Sequence, residues 1–398
     1  MNKLRYFTAG ESHGQGLVGI LEGVPAGLAI TEEELAIDLQ RRQMGHGRGG
    51  RMKIEKDFAR ILTGVRHGRT IGSPIAVFIE NRDWKNWETK MAVGAVTDEV
   101  KQVTIPRPGH ADLAGAIKYK QEDIRNVLER ASARETTTRV ALGGIARKFL
   151  HSFGIHVVSH VIQIGSARND FTLIEFGERN PELGFPTSDL SLKADASPVR
   201  CLNAAVGKKM MDLIDEAKQE RDTVGGIFEV IAFNLPIGLG SHVQWDRKLD
   251  AQIACAMMSI QAIKGVEVGM GFETGTLLGS RVHDQIYFDA GTGRYYRSSN
   301  HAGGIEGGMT NGMPLVVRVA MKPISTLMRP LDSVDLHTKE KVAAHIERSD
   351  VCAVPAASVI AESVLSLVLA NAFLDKFGGD SMQEIQTSYK CWQSDSSE

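Results

Sequence analysis

GESHG, at 10–14, sets Ser12 and His13 between glycines, where a ligand could reach an imidazole able to give and accept protons near neutral pH. RPGHAD, at 107–112, repeats the pattern with Arg107, a Pro-Gly turn, His110 and Asp112, an aspartate two residues from a ring it could orient. LERASARETTTR, at 128–139, crowds Arg130, Ser132, Arg134 and Thr136 to Thr138 around the expected start of a helix. Exposed N–H groups and the dipole at such an end favour anions, and guanidinium and hydroxyl groups complete a phosphate seat. ERSDVCAVPAAS, at 347–358, puts Arg348 and Asp350 at the mouth of a second, apolar helix. RRQMGHGRGGRMKIE, at 41–55, sets four arginines among four glycines. Turn formation and helix capping are the plain alternatives for each group taken alone.

The surroundings decide what kind of ligand these groups suit. The chain has 398 residues, 42% hydrophobic and 24% charged, with a formal net charge of −2. Such a balance disfavours a general nucleic-acid binder, so the basic signal belongs to a site rather than to a surface. Few aromatics accompany the arginines, which also disfavours base stacking. Cys201, Cys255, Cys352 and Cys391 are scattered, without the spacing of a zinc site or disulfide framework. The first residues, MNKLRYFTAGESHG, contain no apolar signal core, and charges interrupt the long apolar runs. A cytoplasmic protein with reduced thiols, no membrane span and no bound metal is expected.

Helices must carry the candidate groups. TEEELAIDLQRRQMG (31–45) has a capping box of Thr31 and Glu34 and delivers its last arginines to the basic loop. Helical spacing of apolar residues recurs over 135–154, and a Ser197-Pro198 start signals a helix running toward Gly225-Gly226. Segments 247–265 and 354–379 are apolar nearly all round and should be deeply buried. Branched runs at ARILTGV, SPIAVFIE, GIHVVSHVIQIG, GIFEVIAFNLP and PLVVRVAMKP read as strands that come in runs and pairs, which favours an α+β layered sandwich over a doubly wound sheet. His151, His156 and His160 have no spacing suited to a metal and read as core or surface residues. FGIHVVSHVIQIG loosely parallels KGVEVGMGFETG, too weakly to establish a duplication. One domain over 1–390 is expected, with a polar excursion at 166–200 and a disordered tail at 391–398.

NHAGGIEGGMTNG (300–312), followed by MKPIST (321–326), is a glycine-rich loop entering a strand, against whose backbone a flat ring system could lie. No GxGxxG follows a strand with an acidic residue about 20 positions on, which argues against a Rossmann dinucleotide site.

GESHG, RRQMGHGRGGRM, RPGHAD, RASARETTTRVA, QAIKGVEVG, GGIEGGMTNG and RSDVCAVPA, in this order, closely resemble the chorismate synthase family from about residue 6 to about 375. The resemblance implies a lyase of the shikimate pathway that turns 5-enolpyruvylshikimate-3-phosphate into chorismate and phosphate, with reduced FMN but no net redox change. It further implies a homotetramer and a β-α-β sandwich, with central apolar helices between two antiparallel sheets. Under it, Arg42, Arg48, Arg51, Arg107, Arg134 and Arg348 clamp a substrate of nearly four negative charges, where bidentate guanidinium suits carboxylate and phosphate better than lysine does. His13 serves the departing phosphate, His110 holds the protonation state of the reduced flavin, and Asp350, Ser12 and Ser132 tune or relay a proton. FMN contacts fall on Arg130, Ala131, Ser132, Gln261, Ala262, Gly307, Lys322, Pro323, Ile324, Ser325, Thr326 and Arg348. Arg42 and Arg48 could instead touch NADPH as a flavin reductant, or a separate reductase could supply the electrons. The rival functions are a flavin/NADPH oxidoreductase with net electron transfer and a non-catalytic polyanion-binding protein.

Overall fold

The computed structural model describes residues 3–50, 54–97, 100–169, 171–172, 174–175, 188–291 and 293–395. Two halves of matching topology build it. In the first, β1 (Arg5–Ala9) and β2 (Gly16–Glu22) form an antiparallel pair, followed by α1 (Glu32–Gln43) with its capping box in place. Then come β3 (Ala59–Ile61), a small hairpin of β4 (Val65–Arg66) and β5 (Arg69–Thr70), and β6 (Ile75–Glu80). Two short helices, α2 (Asp112–Tyr119) and α3 (Arg125–Ala131), lead into α4 (Thr136–His151).

The second half holds β7 (His156–Ile164), β8 (Ala167–Arg168), α5 (Ser188–Ala196), α6 (Ala204–Gln219), β9 (Gly226–Phe233), α7 (Leu249–Met258) and β10 (Ile263–Val268). An exposed hairpin, β11 (Ile286–Asp289) with β12 (Arg294–Arg297), precedes a second small hairpin, β13 (Ile305–Glu306) with β14 (Met309–Thr310). The half continues through β15 (Leu315–Met321), β16 (Asp332–Val334), β17 (Lys341–Ala343) and α8 (Val354–Phe377), and α9 (Met382–Asp395) follows.

Sheet order shows the duplication that sequence similarity alone could not establish. The first sheet runs β1-β2-β6-β3 and the second β10-β15-β9-β7-β8, so β1, β2, β6 and β3 correspond to β7, β9, β15 and β10. The small hairpins match residue for residue, Gly64 to Gly304, Gly68 to Gly308, Thr70 to Thr310, Gly72 to Gly312 and Pro74 to Pro314. Gly64 and Gly304 take φ of 81° and 82°, the left-handed region open to glycine at little cost. Thr70 Oγ1 donates to the Pro25 carbonyl at 2.6 Å, and Thr310 Oγ1 donates to the Pro236 carbonyl at 2.6 Å. Ahead of the central helices the repeat reads Glu129-Arg130-Ala131-Ser132 and Glu347-Arg348-Ser349-Asp350. The parallel noted between 153–165 and 264–275 joins β7 to β10, which are not equivalent strands.

The α+β class follows from antiparallel sheets and packed helices. α4 and α8 lie against each other, α4 touches β1, β2 and β6, and α8 touches β7 and β9. α8 is buried nearly all round, as its composition requires, and is the one described helix long and apolar enough to cross a membrane. Its Glu362, fully buried, receives Arg41 at 2.7 Å, Arg147 at 3.0 Å and Arg200 at 3.1 Å, which ties α1, α4 and the loop at 197–203 to the core.

Several expected boundaries move. The 247–265 helix stops at Met258 and buries only Leu249, Ile253 and Met257, because the alternating residues from Ile263 pair with β15. The Ser197-Pro198 signal yields to Asn203, whose side chain caps α6 by accepting from the Ala205 and Val206 amides. Much of the expected tail belongs to α9, where Tyr389 and Trp392 pack on the core, and 396–398 lie outside the described residues. In the 166–200 excursion, 176–187 also lie outside them. His160 is fully buried in β7, 3.7 Å from Glu229, and the His151 and His156 rings approach to 4.9 Å.

Candidate active site

The duplication brings the N-terminal ends of both central helices to one place. Around them the loop after α1, the turn at 107–111, the Gln261-Ala262 turn and segment 321–326 enclose a cavity of about 390 Å³. Ser12, His13, Arg42, Arg48, Arg107, His110, Ala131, Ser132, Arg134, Gln261, Ala262, Lys322, Ile324, Ser325, Thr326, Arg348 and Asp350 all line it. Arg51 lies outside the described residues. Three expected groups are not among the lining residues. Arg130 turns outward to the Thr8 carbonyl at 2.8 Å, Gly307 sits in the β13–β14 turn, and Pro323 only connects Lys322 to Ile324.

The arginines do not form a cluster of bare charge. Arg134 donates to Asp57 at 2.5 Å and lies 3.4 Å from Glu55, while Arg42 lies 3.5 Å from the same Asp57 and donates to Thr136 Oγ1 at 2.9 Å. Arg107 chelates Asp112 at 2.8 and 3.1 Å. Arg348 reaches Asp83 at 2.6 Å, and Arg48 reaches Asp350 at 2.9 Å. Asp57, Glu55, Asp112 and Asp83 stand behind the lining, so the cavity wall stays rich in cations while each guanidinium is held and aimed. Burial pushes Arg42 down to about 10, against the pull of Asp57, and Arg48 and Arg134 depress it further. It remains cationic at neutral pH. Arg41, one residue earlier, points away from the cavity to Glu362.

Both cavity histidines are backed by carboxylates. His110 Nδ1 lies 2.5 Å from Asp112 Oδ1, which bears out the suspected orientation. Burial would raise the Asp112 carboxyl, but hydrogen bonds from His110 and Arg107 hold it far below the usual range. His13 Nδ1 lies 2.9 Å from Glu129 Oε1. Ser132 Oγ donates to Ser12 Oγ at 3.1 Å, and Asp350 accepts the Gly49 amide at 2.6 Å. Gly49 is needed there, because a Cβ would stand 2.7 Å from the Ser349 carbonyl oxygen. His46 helps hold this loop, with Nε2 2.9 Å from Asp215 of α6.

Leu128, Ile260, Met321, Ala353, Ala356, Ala357 and Ile360 supply the apolar part of the lining. Beside it, the buried Gln261 Oε1 has no hydrogen-bond partner among the described residues, and Ala262 holds a strained φ of 67°. A flat ring with a polar edge and a phosphate tail meets a matching surface here, so the residues fit the flavin that the resemblance implies.

Asp57, Glu55, Asp83 and Glu129 are site carboxylates that motif reading missed. The acidic pair in KIEKD, directly after the basic loop, and the glutamate inside LERAS were visible signals for all but Asp83.

A family model described as "Chorismate synthase" matches residues 4–374. The chain is 55% identical to a chorismate synthase of Aquifex aeolicus, covering 97% of this chain and 96% of that protein. It is 56% identical to one of Geobacter sulfurreducens, covering 97% and 98%, and 54% identical to one of Bacillus subtilis, covering 96% and 97%. A solved structure titled "Crystal Structure of Chorismate Synthase" aligns with a TM-score of 0.77 at 46% identity, over 98% of this chain and 97% of that one.

Proposed function

The chain belongs to the chorismate synthase family, and from that premise we propose how its pocket works. The protein is a lyase that eliminates phosphate from 5-enolpyruvylshikimate-3-phosphate to give chorismate, with no net redox change. The observation that carries the site assignment is one cavity whose lining combines carboxylate-held guanidinium groups with apolar side chains.

The substrate carries a phosphate and two carboxylates. Arg42, Arg48, Arg107, Arg134 and Arg348 bind these groups. Arg51, which lies outside the described residues, is assigned with them from the sequence motif alone. Prior pairing with Asp57, Asp112 and Asp350 lowers the cost of organising so many cations and leaves the substrate to compete for donors already in place. His13 gives a proton to the departing phosphate. His110, oriented by Asp112, would hold a proton beside the cofactor, and Asp350 with Ser12 and Ser132 would tune or relay the departing proton.

When bound, reduced FMN would lend electron density to an elimination in which no carbonyl group acidifies the departing ring hydrogen. Gln261, Ala262, Ala131, Ser132, Lys322, Ile324, Ser325, Thr326 and Arg348 would hold it, together with the apolar lining residues. Arg130, Pro323 and Gly307 are kept as more distant contributors. Arg42 and Arg48 sit where a nicotinamide nucleotide could be held for flavin reduction, and a separate reductase is the other source of electrons.

A β-α-β sandwich, a homotetramer and a cytoplasmic location complete the proposal. The exposed Ile286, Phe288 and Tyr295, which share one face of the β11–β12 hairpin, support assembly, since such a face is costly in water. Anaerobic incubation with dithionite-reduced FMN tests the activity. Equal yields of chorismate and phosphate, no product with oxidised FMN and no NADPH consumed per turnover are expected. Steady stoichiometric NADPH loss would favour the oxidoreductase instead.

A further inference from the structure

We infer that Glu129, assisted by Trp87, is a positioning residue that fixes the tautomer and tilt of the His13 ring. This rests on the proposed role of His13 at the departing phosphate.

The contacts are unusually complete for one side chain. Both Glu129 carboxylate oxygens lie near His13 Nδ1, at 2.9 and 3.0 Å, and Oε2 also accepts the His13 backbone amide at 2.7 Å. Glu129 is buried, and the His13 ring has little exposure beyond the cavity. The Trp87 ring stacks on the imidazole with centroids 3.9 Å apart and planes 25° apart. Arg125 completes the frame. It donates to Glu129 at 3.1 Å and to Glu347 at 3.0 Å, and its guanidinium lies 5.0 Å over Trp87. Trp87 Nε1 donates to Asp83 at 3.3 Å, the carboxylate that also receives Arg348 from the cavity wall. Lys90 lies over the same indole.

A carboxylate accepts, so the Nδ1 that faces it must carry the hydrogen. The proton to be delivered then resides on Nε2, at the opposite edge of the ring, and the negative charge behind it stabilises the imidazolium that delivers it. Burial raises the Glu129 carboxyl, but the His13 hydrogen bond and charge, with Arg125, outweigh burial and keep it ionised. Trp87 excludes other ring tilts. Neither residue has to touch the substrate.

The test joins spectroscopy to a mutant cycle. In ¹⁵N-histidine-labelled enzyme without ligands, the His13 signals, assigned by loss in His13→Asn, are expected to show a protonated Nδ1. Glu129→Gln should move the neutral ring toward the Nε2–H tautomer. It should also slow single-turnover phosphate release about 10- to 100-fold, with substrate and flavin affinities within about threefold of wild type. In a His13→Ala background, Glu129→Gln should slow release no further. Should Glu129→Gln fail to fold, Glu129→Asp serves in its place, with a partial shift and a smaller rate loss. A wild-type ring carrying its hydrogen on Nε2, or equal slowing by Glu129→Gln with and without His13, overturns the inference. If His13→Ala alone releases phosphate at the wild-type rate, the acid assignment of His13 fails instead, while the tautomer result still judges Glu129.

Discussion

Asp57→Asn isolates the carboxylate that stands behind two substrate arginines. Asp57 has no exposed side chain and lies 2.5 Å from Arg134 and 3.5 Å from Arg42. The amide keeps shape but leaves two buried guanidiniums without their shared counter-charge, a change that costs about 3–5 kcal/mol. For 398 residues the unfolding entropy is about 0.8 kcal/mol/K, so Tm should fall by about 4–6 °C without ligand. The same change frees positive charge toward the cavity, so a phosphate-bearing ligand should restore more stability to the variant than to wild type. Scanning calorimetry with and without saturating 5-enolpyruvylshikimate-3-phosphate reads both effects. The reasoning is refuted by an unchanged apo Tm, or by a ligand shift smaller in Asp57→Asn than in wild type.

Three further outcomes follow from the core. Gly143→Ala on α4 should destabilise by about 1–3 kcal/mol, instead of the gain of about 1 kcal/mol usual in a helix, because its Cβ would stand 2.4 Å from Ser363 Cβ on α8. Urea midpoints decide the sign. Burial would raise the Glu362 carboxyl, but Arg41, Arg200 and Arg147 hold it at about 2, below the ordinary 4.5. Its contribution, about 3 kcal/mol, is therefore complete above about pH 4.5 and is lost as pH falls toward 2. Glu362→Gln should lower Tm at pH 7 and flatten the pH dependence in that acid window, and a wild-type slope there would contradict it. Cys255 and Cys391 are exposed, whereas Cys201 and Cys352 are buried and burial pushes Cys352 up to about 12. Ellman's reagent should titrate two thiols in the native protein and four in guanidinium.

The cavity was legible where short motifs carry both the functional group and the turn that presents it. Ser12, His13, His110, Ser132, Arg134, Arg348 and Asp350 each sit beside glycine or at a helix start, and those local signals survive without knowledge of the fold. Asp112 was legible beside His110, but the pairings between residues distant in sequence were not. Asp57 meets Arg134 across 77 positions and Glu129 meets His13 across 116, contacts that only sheet and helix packing create. Arg41 and Arg42 look alike in sequence, yet one helical step sends the first to Glu362 and the second to the cavity. The strands of GESHG's hairpin, β1 and β2, also escaped, because β1 holds one branched residue, Thr8, and two glycines interrupt β2. Duplication became visible through the matching sheet orders and the paired hairpins at 64–72 and 304–312, which supply the alignment that 153–165 and 264–275 do not.

The placement of both ligands in one cavity is tested most directly by crystals grown with FMN and 5-enolpyruvylshikimate-3-phosphate. The ring density is expected along Ala353, Ala356 and Ile360 with its polar edge at Gln261, and the phosphate within hydrogen-bond reach of His13 and the cavity arginines. Flavin density in a second cavity, beside His283, Asp284 and His301, or a phosphate remote from His13, would contradict the account.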